Sequence, residues 1–275
     1  AASCELFERT TRRYGKPAFG LPETTINGVK VAVEERVVWE RPFCRMVYFD
    51  RRIEGRRKPQ PKVLIVAPMS GHYATLLRGT VEALLPDHDV YITDWRDARH
   101  VPKSQGTFGL EDYISYVRDF VTHLGPDTNV IAVCQPTVPV LAAVSLMAAE
   151  DDPCQPATLT LMGGPVDTRA AETAVTRFAL QHDLNWFRNN VITQVPPWYA
   201  GAGQDVYPGF LQLTGFMAMN PDRHINAHTD LFDHLRRGDG EKADKIKEFY
   251  DEYLAVCDLS APFYLDTIDQ VFQRQ

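Results

Sequence analysis

The chain has 275 residues, 44% hydrophobic and 24% charged, enough to bury a sizeable core as one large domain or as a core with a cap. Its net charge of −7 and pI of about 5.6 argue against a nucleic-acid-binding surface and against a polybasic membrane anchor. No apolar run reaches the roughly 18 residues of a transmembrane helix. The opening Ala1–Arg9 turns polar too early for a secretory signal and lacks an initiator Met, so a trimmed start is expected. Five scattered cysteines (Cys4, Cys44, Cys134, Cys154, Cys257), with no C-x-x-C pair, point to a reduced, cytoplasmic compartment without structural zinc.

Taken in order, residues 1–22 read as a short helix and an extended arm. Val29–Trp39 and Phe43–Phe49 alternate imperfectly around a Glu40-Arg41-Pro42 break and predict an antiparallel pair. Arg51 to Pro61 reads as a basic, solvated connection. The pattern then changes. Lys62–Ala67 is a continuous apolar run, as expected of a strand buried on both faces. Pro68–Tyr73 is a loop, and Ala74–Leu85 a helix with Leu76, Leu77, Val81, Leu84 and Leu85 on one face. Asp89–Thr93 is a second strand ending in Asp94–Ala98. Leu110–Leu124 is a helix stopped by Gly125-Pro126-Asp127. Asn129–Val133 is a third strand, a helix follows Cys134, and Ala157–Met162 is a fourth strand closing with Gly163–Asp167. This alternation predicts an α/β fold with a doubly wound, mostly parallel sheet. Ligands in such sheets bind beyond the C-terminal strand ends. From Thr168 to Gln275 no strong strand is predicted; helical patterns and loops rich in Pro, Gly and aromatics suggest a cap. The expected division is therefore 1–167, arm and core, and 168–275, cap.

The stretch Val130–Val140 carries the chemistry. β-branched residues end abruptly in Cys134, Gln135-Pro136 turn the chain, and an apolar helix follows. Strand, sharp turn and helix make a nucleophile elbow, in which a side chain stands clear of the sheet. Here that side chain is a thiol, and a helix N-terminus stabilises a thiolate. A free cysteine is ordinarily a small buried hydrophobe; the position of Cys134 at a strand end favours the nucleophile. The other four cysteines lack that context and read as structural. Pro68–His72 follows the first parallel strand, where a second oxyanion donor is expected, so the backbone N–H groups of Ser70 and Gln135 are the candidate pair. His72 reads as a hydrogen-bonded loop residue. Asp167 is open to two readings, triad acid or helix N-cap (the latter at Asp167 or Thr168). Asp94 and Asp97 read as salt-bridge partners of Arg96 or Arg99. His224 and His228 read as helix capping and polar cap surface, since one spaced pair without assigned carboxylates makes no metal set.

Five segments carry a family resemblance: Ala67–Arg78 (APMSGHYATLLR), Val90–Arg99 (VYITDWRDAR), Val133–Ala142 (VCQPTVPVLA), Met162–Asp167 (MGGPVD) and Ala218–His224 (AMNPDRH). Together they resemble intracellular poly(3-hydroxybutyrate) depolymerases. The resemblance runs from about Tyr14 to Gln275. It implies an α/β-hydrolase fold with a cysteine nucleophile, Cys134, that cuts the ester bonds of amorphous stored polyester to 3-hydroxybutyrate oligomers or monomer. It implies no cofactor and no metal, a location at intracellular polyester granules, and the polymer and granule surface as partners. The family's acid and histidine lie beyond two further strands and map onto no residue here. They are expected from a C-terminal segment outside this sequence or from a second chain. The related polyester synthases share the thiol elbow, so a thiol acyltransferase stays open as an alternative, as does a non-catalytic granule-binding piece.

Overall fold

A computed structural model describes residues 2–53 and 59–275. Helix α1 (Ala2–Thr11) and an extended arm lead into β1 (Glu23–Ile26) and β2 (Val29–Arg41). Asn27 and Gly28, at φ of 49° and 81°, make the two-residue turn between them, a conformation that Asn-Gly adopts readily. β3 (Cys44–Arg51) pairs antiparallel with β2, with a register shift between Val37 and Trp39. Of the predicted basic connection, residues 54–58 lie outside the described residues. Arg51 is buried rather than solvated, and donates to the carbonyls of Leu85 and Pro86, both at 2.8 Å, and to Asp89.

Beyond it come β4 (Lys62–Val66), a 3-10 turn (Ala74–Leu77), α2 (Arg78–Leu84), β5 (Asp89–Trp95), α3 (Leu110–Leu124), β6 (Thr128–Val133), α4 (Thr137–Ala149) and β7 (Thr158–Met162). The sheet order is β1-β2-β3-β5-β4-β6-β7. β4, β5, β6 and β7 run parallel, and β3 joins them antiparallel through β5. The predicted helix over 74–85 is broken in two, and Leu76 faces solvent while Val81 and Leu85 are buried.

Period-2 alternation explains why β4 is apolar throughout. Val63 and Ile65 join Phe19, Phe49, Val81, Leu85, Val90 and Ile92 on one face of the sheet. Leu64 and Val66 join Trp95, Tyr113, Val117, Phe120, Val130 and Val140 on the other. Pairing of Val66 with Ala132 and of Val133 with Met162 brings the C-terminal ends of β4, β6 and β7 level. This mixed sheet with helical crossovers is an α/β-hydrolase-like doubly wound arrangement.

The remainder folds as α5 (Ala174–Gln181), α6 (Leu184–Asn190), β8 (Thr193–Gln194), β9 (Asp205–Tyr207), α7 (Gly209–Ala218), α8 (Pro221–Arg237), α9 (Gly240–Tyr253), β10 (Leu259–Ser260), α10 (Ala261–Asp266) and a π-helical stretch (Thr267–Gln273). The sequence gives no strand signal here because β8, β9 and β10 are two or three residues each; they form a small antiparallel sheet. Val206, Tyr207, Leu259 and Phe263 are part of the main core, and the Phe263 ring lies 5.5 Å from that of Tyr113. Among the described residues no helix is long and apolar enough to cross a membrane.

Candidate active site

Cys134 sits one residue past β6 at φ 68°. A non-glycine residue in that region is uncommon and costs free energy, and such strain concentrates at functional sites. The surroundings hold the bend. The Cys134 N–H donates to Met162 O at 2.7 Å, extending the β6–β7 ladder, and Thr137 N–H donates to Cys134 O at 3.1 Å. Pro136 and Pro139 occupy the start of α4, where the first backbone N–H groups have no helical acceptor anyway. Pro136, Thr137 and Pro139 are buried, while Cys134 is exposed. Gly164 packs under this bend. A Cβ there would stand 1.7 Å from Thr137 Oγ1 and 2.3 Å from Cys134 O.

The loop after β4 lies alongside. Ala67 N–H donates to Thr93 Oγ1 at 2.9 Å, and Trp95 Nε1–H donates to Ala67 O at 2.9 Å. Met69 N–H donates to the Gln135 side-chain oxygen at 3.4 Å, tying this loop to the elbow. Gly71, at φ 93°, needs glycine for its backbone and for space: an added Cβ would meet Gln212 Cγ at 3.0 Å. Its carbonyl accepts Cys257 N–H at 2.8 Å. The N–H groups of Ser70 and Gln135 have no hydrogen-bond acceptor among the described residues.

His72 is buried, its Nε2 3.1 Å from Tyr253 O, its ring against Phe216 and Tyr253. Burial pushes its pKa below the ordinary histidine range, partly offset by that carbonyl. It makes a bridge to Val256 and acts as a clip between the loop and the C-terminal segment. Among the described residues Cys134 Sγ forms no hydrogen bond to a histidine.

Asp167 is exposed and paired with Arg169 at 2.9 and 3.1 Å. It caps a turn by accepting Arg169 N–H at 3.0 Å; the helix begins later, at α5, where Thr173 is the N-cap. Asp94 is buried and pairs with Lys16 and Arg45 rather than with Arg96, which takes Glu40. Asp97 does pair with Arg99, at 3.4 Å. Burial raises the Asp97 carboxyl above the ordinary range, opposed by Arg99 and reinforced by Asp258. Arg99 also grips Asp258 through two bonds of 3.1 and 3.0 Å, and Asp258 accepts Gly209 N–H at the start of α7 at 3.0 Å. The sequence reading takes Cys257 as structural and Gly164 only as part of the Met162–Asp167 segment, and passes over Asp258, since the contacts of all three depend on distant partners. Only the Gly163-Gly164 pair at a strand end carried a signal. His224 and His228 lie in the first half of α8, bonded to Tyr250 OH and to the His224 carbonyl. No cluster of three metal-ligating side chains occurs among the described residues. Cys44 and Cys257 are buried, Cys154 partly so, and Cys4 is exposed on α1.

A doubly wound sheet with an exposed side chain on a strained strand-to-helix bend defines the α/β-hydrolase class of architecture. Residues 163–275 match the family described as PHB de-polymerase C-terminus, so this part of the chain is PHB-depolymerase-like. No curated protein sequence matches the chain significantly. Among solved structures, it is similar to LAE6, an alpha/beta hydrolase enzyme from the metagenome of Lake Arreo, Spain, with 14% identity over 65% of this chain and 55% of that one and a TM-score of 0.36. It is also similar to DphMB1, with 14% identity, 66% and 62% coverage and a TM-score of 0.33. A probable hydrolytic enzyme from Pseudomonas aeruginosa gives 13% identity, 88% and 70% coverage and a TM-score of 0.34. The chain thus spans 55% and 62% of the length of the first two.

Proposed function

We propose that the protein is a thiol-dependent ester hydrolase of stored poly(3-hydroxybutyrate). The observation that carries this reading is Cys134, exposed at φ 68° on the bend between β6 and α4, in a chain whose residues 163–275 match a depolymerase family. The Cys134 thiolate attacks the ester carbonyl carbon, and the carbonyl electron pair moves to oxygen. The Ser70 and Gln135 N–H groups stabilise that oxyanion. Collapse expels the alcohol end of the polymer, which takes a proton, and leaves a thioester on Cys134. Water then attacks the thioester and releases the hydroxy acid. A histidine from a C-terminal segment or a second chain takes the thiol proton and returns it to the leaving alcohol, oriented by an acid from the same source. The scheme uses no cofactor. In this reading residues 168–275 cap the core of residues 1–167, and the protein works in the cytoplasm at polyester granules, with the polymer as its partner.

The test is release of 3-hydroxybutyrate from amorphous polymer granules by the protein and by Cys134→Ala. Release lost in the variant is expected. Release retained by the variant overturns the assignment. A thiol acyltransferase would instead liberate coenzyme A from a hydroxyacyl thioester.

A further inference from the structure

The two candidate oxyanion donors come from separate loops, and their spacing has to be set by something. Upstream of Ser70 the loop is anchored at Ala67, by Thr93 and the Trp95 indole; downstream it is anchored at Gly71, by Cys257. Between these anchors Met69 N–H donates to Gln135 Oε1 at 3.4 Å. Gln135 is also the residue whose own N–H is the second donor. Met69 is buried, so its N–H would otherwise be an unsatisfied buried donor. An N–H can be accepted only by the oxygen of the Gln135 amide, which fixes the orientation of that amide.

We infer that the Gln135 side chain is a positioning residue that sets the distance between the Ser70 and Gln135 N–H groups by holding Met69 N–H. This rests on the thiol-ester reading above. With Gln135 locked to the neighbouring loop, both donors form one rigid unit with the bend that carries Cys134. Without that lock the Ser70 N–H swings with a loop fixed only at its two ends. A misplacement of about 1 Å costs roughly a hundredfold in rate.

The experiment compares two reactions of the same thiol, in the native chain and in Gln135→Met, which keeps the side-chain length and removes the acceptor. Acylation by p-nitrophenyl acetate passes through a tetrahedral oxyanion: the thiolate adds to the carbonyl, p-nitrophenolate leaves, and the thiol proton goes to buffer. Alkylation by iodoacetamide displaces iodide and forms no oxyanion. Both rates are read at Cys134 by peptide mapping. Gln135→Met is expected to slow acylation roughly 10- to 100-fold and to leave alkylation within about twofold. An unchanged ratio of the two rates overturns the inference while leaving Cys134 as the nucleophile. An ester that acylates the native chain elsewhere than Cys134 overturns the thiol reading and the inference with it. A second measurement needs no substitution: amide hydrogen exchange in the native chain. Protection of Met69 with fast exchange at Ser70 is expected, and equal exchange at the two overturns the inference.

Discussion

Gly164→Ala tests whether the bend at Cys134 is held by packing. The φ of Gly164 is not in the left-handed region, so the substitution adds no backbone strain and the cost is steric alone. The new Cβ would be 1.7 Å from Thr137 Oγ1, 2.5 Å from Thr137 Cγ2 and 2.3 Å from Cys134 O. The first residue of α4 or the strand end at Gly164 must therefore move by about 1–2 Å to restore van der Waals distance. Thr137 is fully buried and cannot swing into solvent. Overpacking of this kind costs about 3 kcal/mol, the upper part of the usual range. For a chain of this length that lowers the thermal midpoint by about 6–12 °C, read by circular dichroism with urea unfolding beside it. Displacement of the Cys134 carbonyl should also slow ester cleavage about a hundredfold. The double variant Gly164→Ala/Thr137→Ala removes two of the three clashes and should recover at least about 1 kcal/mol. A loss under about 1 kcal/mol in the single variant, with unchanged ester cleavage, would refute the packing argument.

Among the described residues Thr137 Oγ1 is buried without a hydrogen-bond partner, so Thr137→Val should leave stability unchanged or raise it by up to about 1 kcal/mol in urea unfolding, since an unpaired polar group is replaced by an apolar one of the same shape. Arg99→Met leaves Asp97 and Asp258 facing each other without their cation; discounting for the partial exposure of Arg99, a loss of about 2 kcal/mol is expected in the same assay. His72 has a lowered pKa when folded, so below the ordinary histidine range the unfolded chain binds the proton first and stability falls as pH drops. His72→Gln should therefore flatten the decline in unfolding free energy from pH 7 towards pH 5. Asp167→Asn should leave both thermal midpoint and ester cleavage unchanged, because the carboxylate only caps an exposed turn with Arg169; a large loss of cleavage would return it to the catalytic machinery.

How legible the molecule is from its chain follows the range of the forces involved. The central parallel strands were readable because burial on both faces favours apolar runs, as at Val63–Val66 and Val130–Val133. Helix α3 was readable end to end, since its apolar period is local and Gly125 stops it. Cys134 was readable because strand, turn and helix signals converge on one residue. The hairpin at Asn27-Gly28 carries an equally local signal, and belonged to the same legible class although the reading went from residue 22 to Val29 without assigning it.

Other features depend on partners far along the chain. The strands β8, β9 and β10 are too short for any periodicity to register, and exist because Val206 pairs with both Thr193 and Ser260. The pairing of Asp94 with Lys16 and Arg45 in place of Arg96 depends on which face of β5 the side chain takes and on the arm that covers it. Asp258 holding Arg99 and the start of α7, Cys257 holding Gly71, and Gln135 reaching Met69 all join segments brought together by folding. The amino-acid sequence by itself determined where an exposed cysteine would emerge from the sheet, because that is written in the pattern of about a dozen adjacent residues. Only the tertiary structure decided what surrounds it. Hydrogen bonds and close packing act over a few ångströms of space, and separation along the chain does not reveal which groups will share them.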